Sequence, residues 1–213
     1  MGYKRAGMRV VAANDIDPRM AKHYKQNLTV PHYLLAPIGD VVKRAKAKDL
    51  PADLYDLDIL DGSPPCTTFS SHGKRDKVWG VEKNFREGGT KQVLSDLFFD
   101  YLDLVEALQP KVSIAENVKG MLLGNAKGYV RLIMDRYKAM GYKAQLFLVD
   151  AVACGVPQHR ERVFFVARRQ DVKGEPLRFS PSHRPITVRE AWADLGEQCT
   201  DGLQVCPSVR PIW

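Results

Sequence analysis

The sequence predicts an α/β fold with a mostly parallel sheet covered by helices. Two observations carry that reading. Strand-like and helix-like segments alternate through the first two thirds of the chain, and Asp15, Cys66 and Glu116, three residues of marked chemical character, each follow a strand candidate directly. In such sheets ligands sit at the carboxyl ends of the strands, which places the three on one rim.

Residues 10–13 (Val-Val-Ala-Ala) read as a short buried strand, followed by a helix over 18–26, with Pro18 suited to its first turn. Residues 57–60 form a second strand candidate ending at Asp61-Gly62. Apolar residues at 94, 97, 98, 101, 102, 105 and 108 have helical spacing, and Pro110 stops that helix. Residues 112–115 give a third strand, and 129–140 a helix closed by Gly141. Two further strand candidates, 144–149 and 162–167, flank a Gly155-Val156-Pro157 loop and form an antiparallel hairpin.

After Arg168 the texture changes. Residues 174–185 contain three prolines and few core residues, so the chain divides into a core over 1–170 and a tail over 171–213 made of a linker and a short helix. Thr187-Val188-Arg189-Glu190 has the capping-box form that starts that helix.

Composition narrows the function classes. With 213 residues, 45% apolar and 27% charged, the chain reads as globular, and no apolar run approaches the ~18 residues a membrane span requires. A cytoplasmic location is expected, since the first residues lack a signal peptide's apolar stretch. The four cysteines, Cys66, Cys154, Cys199 and Cys206, form no CxxC pair, which argues against structural zinc and against a disulfide framework. A net charge of +7 suits a polyanion such as nucleic acid and equally serves solubility.

Three stations bear chemistry. Pro64-Pro65-Cys66 holds a thiol at a strand end on a turn stiffened by proline. Glu116-Asn117-Val118 puts a carboxyl where burial is unfavourable without a partner. Gln158-His159-Arg160-Glu161-Arg162 is a basic cluster entering a strand. Taken singly, each has an ordinary account: a cysteine in a tight turn, a salt-bridged glutamate, a solvated charge run.

In this order and spacing the stations resemble the cytosine-5 DNA methyltransferase family, over about residues 7–195. Pro65-Cys66 is similar to its nucleophile motif, Glu116-Asn117-Val118 to its ENV motif, and Gln158-x-Arg160-x-Arg162 to its QxRxR motif. Asn14-Asp15-Ile16-Asp17 resembles the acidic strand end that holds the cofactor ribose, Gly39-Asp40-Val41 the adenine-contacting segment, and residues 95–99 the helix that brings a leucine to the cofactor.

The resemblance implies a Rossmann-like S-adenosylmethionine-dependent methyltransferase sheet and transfer of a methyl group to C5 of cytosine in double-stranded DNA. Cys66 would add to C6 of a flipped base. Glu116, protonated, would bind N3 and the exocyclic amine; Arg162 would bind O2, and Arg160 would orient the catalytic loop. For S-adenosylmethionine, Asp15 would bind the ribose and Asp40 the adenine amine, while Ile16, Val41, Pro65 and Leu97 would wall the pocket. The segment 71–91, with six basic residues against three acidic, reads as a long polar loop that closes over DNA. Ser70, Lys74, Arg75, Lys77 and Gln158 are the expected DNA contacts.

The family's glycine-rich motif normally precedes the position of Gly7, and its target-recognition region and last two motifs follow that of Trp213. Lacking them, the sheet is expected to be incomplete at its first strand, with a gap, or another segment, between the strand near Val10 and the one ending at Asp61. The isolated chain is expected to be weakly active, and a separate fragment supplying the missing motifs to rescue it. A non-catalytic DNA- or partner-binding relative and an RNA cytosine-5 methyltransferase are the alternative readings.

Overall fold

The computed structural model describes residues 2–65, 82–84, 91–93, 97–124, 126–180 and 184–193, with the backbone alone for 82–84 and 91–93. The expected nucleophile Cys66 and the expected DNA contacts Ser70, Lys74, Arg75 and Lys77 lie outside the described residues.

A short helix α1 (Gly2–Arg5) leads into β1 (Ala12–Asp15). Helix α2 (Pro18–Asn27) connects β1 to β2 (His32–Leu35), which pairs with it in parallel, Ala12 opposite His32 and Asp15 opposite Leu35. Asp17 caps α2 by accepting the Arg19 amide at 2.8 Å, and Pro18 fills the first turn as its sequence position suggests. Helix α3 (Ile38–Lys46) follows.

A second sheet has four strands: β3 (Ile59–Gly62), β6 (Val112–Val118), β7 (Tyr142–Asp150) and β8 (Glu161–Arg169), in the order β3-β6-β8-β7. The β3–β6 pairing is parallel, reached through α4 (Leu97–Leu108), while β8 pairs antiparallel with both β6 and β7. Within the expected polar loop, β4 (Glu82–Asn84) and β5 (Lys91–Val93) form an antiparallel hairpin, so part of that segment is regular structure. Helix α5 (Ala126–Ala139) ends ahead of Gly141, whose φ of +84° suits glycine. Helix α6 (Val188–Ala191) begins with the capping box that Thr187 and Glu190 announced.

The fold class matches the sequence: an α/β protein with parallel pairings and an antiparallel hairpin. The expected break is also present among the described strands, because β1–β2 and the β3-containing sheet are separate.

Helices α4 and α5 cover one face of the four-stranded sheet. Phe98, Tyr101, Leu102, Val105, Ile133 and Tyr137 pack there against Ala115, Val163, Phe165 and Ala167. Burying side chains of this size contributes about 1.5–3 kcal/mol each before entropy is counted. Inside this core the Tyr101 hydroxyl meets Ser113 Oγ at 2.8 Å and donates to the Leu60 or Ile114 carbonyl at 2.9 Å, and Ser113 also meets the Tyr137 hydroxyl at 2.8 Å. Tyr101 needs space at the end of β3. A Cβ on Gly62 would stand 2.5 Å from its ring, which accounts for glycine there. A second cluster, from Val41, Val42, Ala45, Leu104 and Leu108, packs α3 on α4.

Candidate functional site

A cavity of about 520 Å³ opens between the β1–β2 pair and β3. Asp15, Ile16, Val41, Pro65 and Leu97, all expected to hold a cofactor, line it together. Val41 and Leu97 are buried and give it apolar walls, while Asp15 stands at the carboxyl end of β1. One Asp15 oxygen accepts the Asp17 amide at 2.8 Å, which fixes the carboxylate's direction. Asn14 donates to the Leu34 and Ala36 carbonyls at 2.7 and 2.9 Å, tying the ends of β1 and β2 together. Asp40 is placed differently. It sits in the first turn of α3, takes Lys43 Nζ at 2.8 Å, and is not among the lining residues.

A carboxylate with a hydroxyl-sized opening beside it, facing apolar walls in a cavity of this volume, fits a nucleoside: the acid for ribose hydroxyls, the apolar walls for a purine face. The residues present therefore suit S-adenosylmethionine.

Asp61, at the end of β3, accepts a hydrogen bond from the Tyr3 hydroxyl of α1. Its carboxyl is reached by solvent yet closely surrounded by protein, and this desolvation raises its pKa above the ordinary value.

The other chemical groups gather on β6 and β8. Glu116 and Asn117 belong to β6 itself, which runs to Val118, rather than following its end as the sequence suggested. The strand is longer because β8 continues the antiparallel ladder past Glu116, pairing Val118 with Arg162. Arg162 Nε lies 2.8 Å from Glu116 Oε1, with side chains 24% and 27% exposed, so the pair is largely sheltered yet open on one side. The structural account of Glu116 as a salt-bridged residue thus describes its state in this structure. Beside it, Lys119 Nζ reaches Glu161 at 2.6 Å.

Asn117 was singled out by the sequence only as part of a motif, and its contacts give it a role. It is buried, its Nδ2 donates to the Pro64 carbonyl at 3.1 Å, and its Oδ1 accepts the Val118 amide at 2.8 Å. The strand carrying Glu116 is thereby tied to the turn that runs through Pro65 into Cys66. A polar residue on the buried side of an alternating strand is the sequence signal that marks it.

Asp150, at the end of β7, was not foreseen. Its carboxylate takes the His159 ring at 2.9 Å and the Arg160 amide at 2.9 Å, while the Ala151 amide donates to the Arg160 carbonyl at 3.1 Å. These bonds close the 151–160 segment and fix where the chain enters β8 toward Arg162. The His159 bond, then that from Arg160, holds the Asp150 carboxyl below its ordinary pKa. Gln158 and Arg160 are exposed at this edge, with no carboxylate partner given to either.

Two sub-sites result: the cavity and the Glu116–Arg162 pair. They meet at Pro64 and Pro65, which line the first and are bonded through Asn117 to the strand of the second.

Residues 1–201 match the family described as C-5 cytosine-specific DNA methylase. The chain is 31% identical over 173 residues to the type II methyltransferase M.NgoPII of Neisseria gonorrhoeae, covering 81% of this chain and 45% of that protein. It is 30% identical over 190 residues to the type II methyltransferase M.FnuDI of Fusobacterium nucleatum, covering 89% and 48%. The chain thus spans about half the length of these curated relatives. Among solved structures, a DNA modification methyltransferase encoded within an E. coli prophage superposes with a TM-score of 0.69 at 24% identity, over 92% of this chain and 51% of that one, a likeness of fold.

Proposed function

Because this chain belongs to the C-5 cytosine-specific DNA methylase family, we propose that it carries the catalytic half of an enzyme that methylates C5 of cytosine in DNA. The observation that carries the proposal is the sheltered Glu116–Arg162 pair, held next to the Pro64–Cys66 turn by Asn117. An acid and a guanidinium side by side match the edge of a cytosine, which offers N3, O2 and an exocyclic amine.

The chemistry assigned to each residue follows from the ring. The thiolate of Cys66 forms a bond to C6, and the C5–C6 π electrons move toward N3 and O2. A protonated Glu116 donates to N3 and accepts from the amine, and Arg162 moves from Glu116 to O2, relieving the charge that builds there. The resulting enamine makes C5 nucleophilic. S-adenosylmethionine, bound by Asp15, Ile16, Val41, Pro65 and Leu97, supplies the electrophilic methyl carbon that C5 takes. Loss of the C5 proton to a base then drives elimination of the Cys66 thiolate and restores the aromatic ring.

The target base reaches this site only when flipped from the duplex, at a cost of a few kcal/mol. Ser70, Lys74, Arg75, Lys77 and Gln158 are assigned to backbone contacts that offset it, in keeping with a net charge of +7. A separate polypeptide supplying the remaining portion of the enzyme raises the activity of the chain.

The test uses mixed-sequence duplexes containing 5-fluorocytosine, which blocks loss of the C5 substituent and traps the adduct. With S-adenosylmethionine, a denaturation-resistant complex is expected from the parent chain supplemented with the complementing portion of a relative, and none from Cys66→Ala. Equal trapping by both chains overturns the assignment of Cys66. Trapping on structured RNA in preference to duplex DNA overturns the substrate.

A further inference from the structure

We infer that the opening between β1 and β3 is a docking slot for one extended strand of a partner polypeptide, the complementing portion of the enzyme, which joins the two sheets into one. The choice of partner rests on the functional reading above; the slot rests on backbone geometry.

In a parallel pair, the N–H and C=O of one residue point to the same side and successive residues alternate. His32 N donates to the Val11 carbonyl at 3.1 Å and Ala36 N to the Asp15 carbonyl at 3.2 Å, so Val11, Ala13 and Asp15 face β2. Ala12 and Asn14 therefore aim their backbone groups away from β2. On β3, Val112 N donates to the Asp58 carbonyl at 2.8 Å, so Asp58, Leu60 and Gly62 face β6. Ile59 and Asp61 aim away from β6. Among the described residues, none of these four has a backbone partner across the opening.

The two edges belong to one body of structure. Val11 and Ala12 on one side and Leu57 and Leu60 on the other pack against the same α3–α4 cluster. His32, at the start of β2, pairs with Asp53 ahead of β3 at 3.0 Å, so the beginnings of the strands lie at the same end. Tyr3 of α1 reaches Asp61 across the top. The walls, including Ala12, Leu57 and Leu60, are apolar, while the edges offer main-chain donors and acceptors. That combination recognises an extended segment with small or apolar side chains and gives it a double row of hydrogen bonds. The partner is argued from length: the chain accounts for only 45% of M.NgoPII, so more than half of such an enzyme lies outside the matched part.

The slot also forms one wall of the cofactor cavity, because Ala12, Leu60 and Asp61 line the same space as Asp15 and Ile16. Docking there would complete the cavity as well as the sheet.

The experiment measures amide hydrogen exchange of the full chain, alone and with the stretches of M.NgoPII that flank its 173 matched residues, expressed separately. Alone, the amides of Ala12, Asn14, Ile59 and Asp61 should exchange freely, while Ala13, Leu60 and Gly62 stay protected. One flanking stretch should slow the four at least tenfold. Ala12→Pro removes a slot-facing donor without touching the β1–β2 bonds, a change tolerated on edge strands; it should abolish that protection, and Ile59→Pro gives an independent check on the other edge. Protection of the four amides in the chain alone, no added protection from either stretch, or protection that rises with the concentration of this chain by itself would each overturn the proposal. The outcome is independent of methyl transfer, so a bound stretch without adduct formation on 5-fluorocytosine would leave the slot and remove the catalytic reading.

Discussion

Glu116 and Arg162 meet across a diagonal of the β6–β8 ladder, 2.8 Å apart, where Glu116 stands opposite Phe164 and Arg162 opposite Val118. Diagonal neighbours on one face lie within reach of long side chains, so strand register brings the acid and the guanidinium together. If the pair serves the base edge, Glu116→Gln and Arg162→Lys should lower the rate of adduct formation by at least ~100-fold, since each removes a group aimed at developing charge. Thermal unfolding should change little for Glu116→Gln. Glu116→Ala, which leaves a sheltered guanidinium alone, should cost about 1–2 kcal/mol, between the values for exposed and buried pairs. A loss of stability without loss of adduct rate would identify the pair as structural.

Asn117 offers a separate test of positioning. Asn117→Ala leaves the Pro64 carbonyl without its side-chain donor, and the cost should be about 1–3 kcal/mol by denaturant unfolding. Adduct formation should fall further than stability accounts for, because the turn before Cys66 loses its tether. Asn117→Asp should be worse than alanine, since a carboxylate would face the carbonyl.

Gly62→Ala should destabilise the chain by about 1–3 kcal/mol, because the new Cβ falls 2.5 Å from the buried Tyr101 ring. The double variant Gly62→Ala with Tyr101→Leu should recover part of that loss through relief of the clash, although it forfeits the Tyr101 hydroxyl bonds. A double variant no more stable than the sum of the single changes would place the strain elsewhere.

The Asp150 hub carries a pH dependence of known sign. The folded state lowers the pKa of this carboxyl below 3.8, so its stabilisation is present above that value and is lost as pH falls through the lower folded one. Exchange of the Arg160 amide, corrected for its intrinsic rate, should remain protected at about pH 5 and open progressively below 3.8. Asp150→Asn should flatten this dependence. An unchanged profile in that variant would assign the transition to another group.

The core helices and the station residues were legible in the sequence, for different physical reasons. Helix α4 follows from apolar spacing closed by Pro110, and α6 from a capping box that needs only four residues. Strand β2 and helix α3 escaped notice, because His32-Tyr33-Leu34-Leu35 is brief and α3 begins on Pro37 without a side-chain cap. The true ends of β6 and β8 depend on their mutual ladder, a long-range pairing that local pattern does not contain. The site divides in the same way. Asp15, Glu116 and Arg162 stood out by motif, and Asp40 did too, but its carboxylate turns to Lys43 one helical turn on. Asn117 and Asp150 hold the site through bonds to backbone atoms brought close only by folding.

The central claim, that Cys66 adds to cytosine with Glu116 assisting, is tested most directly without methyl transfer. Addition at C6 lets C5 pick up a solvent proton and release its own, so DNA labelled with tritium at cytosine C5 should lose label to water. The parent chain with its complementing portion should release tritium, Glu116→Gln should do so at least ~100-fold more slowly, and Cys66→Ala should release none. Release that is equal in the parent and in Cys66→Ala would contradict the account.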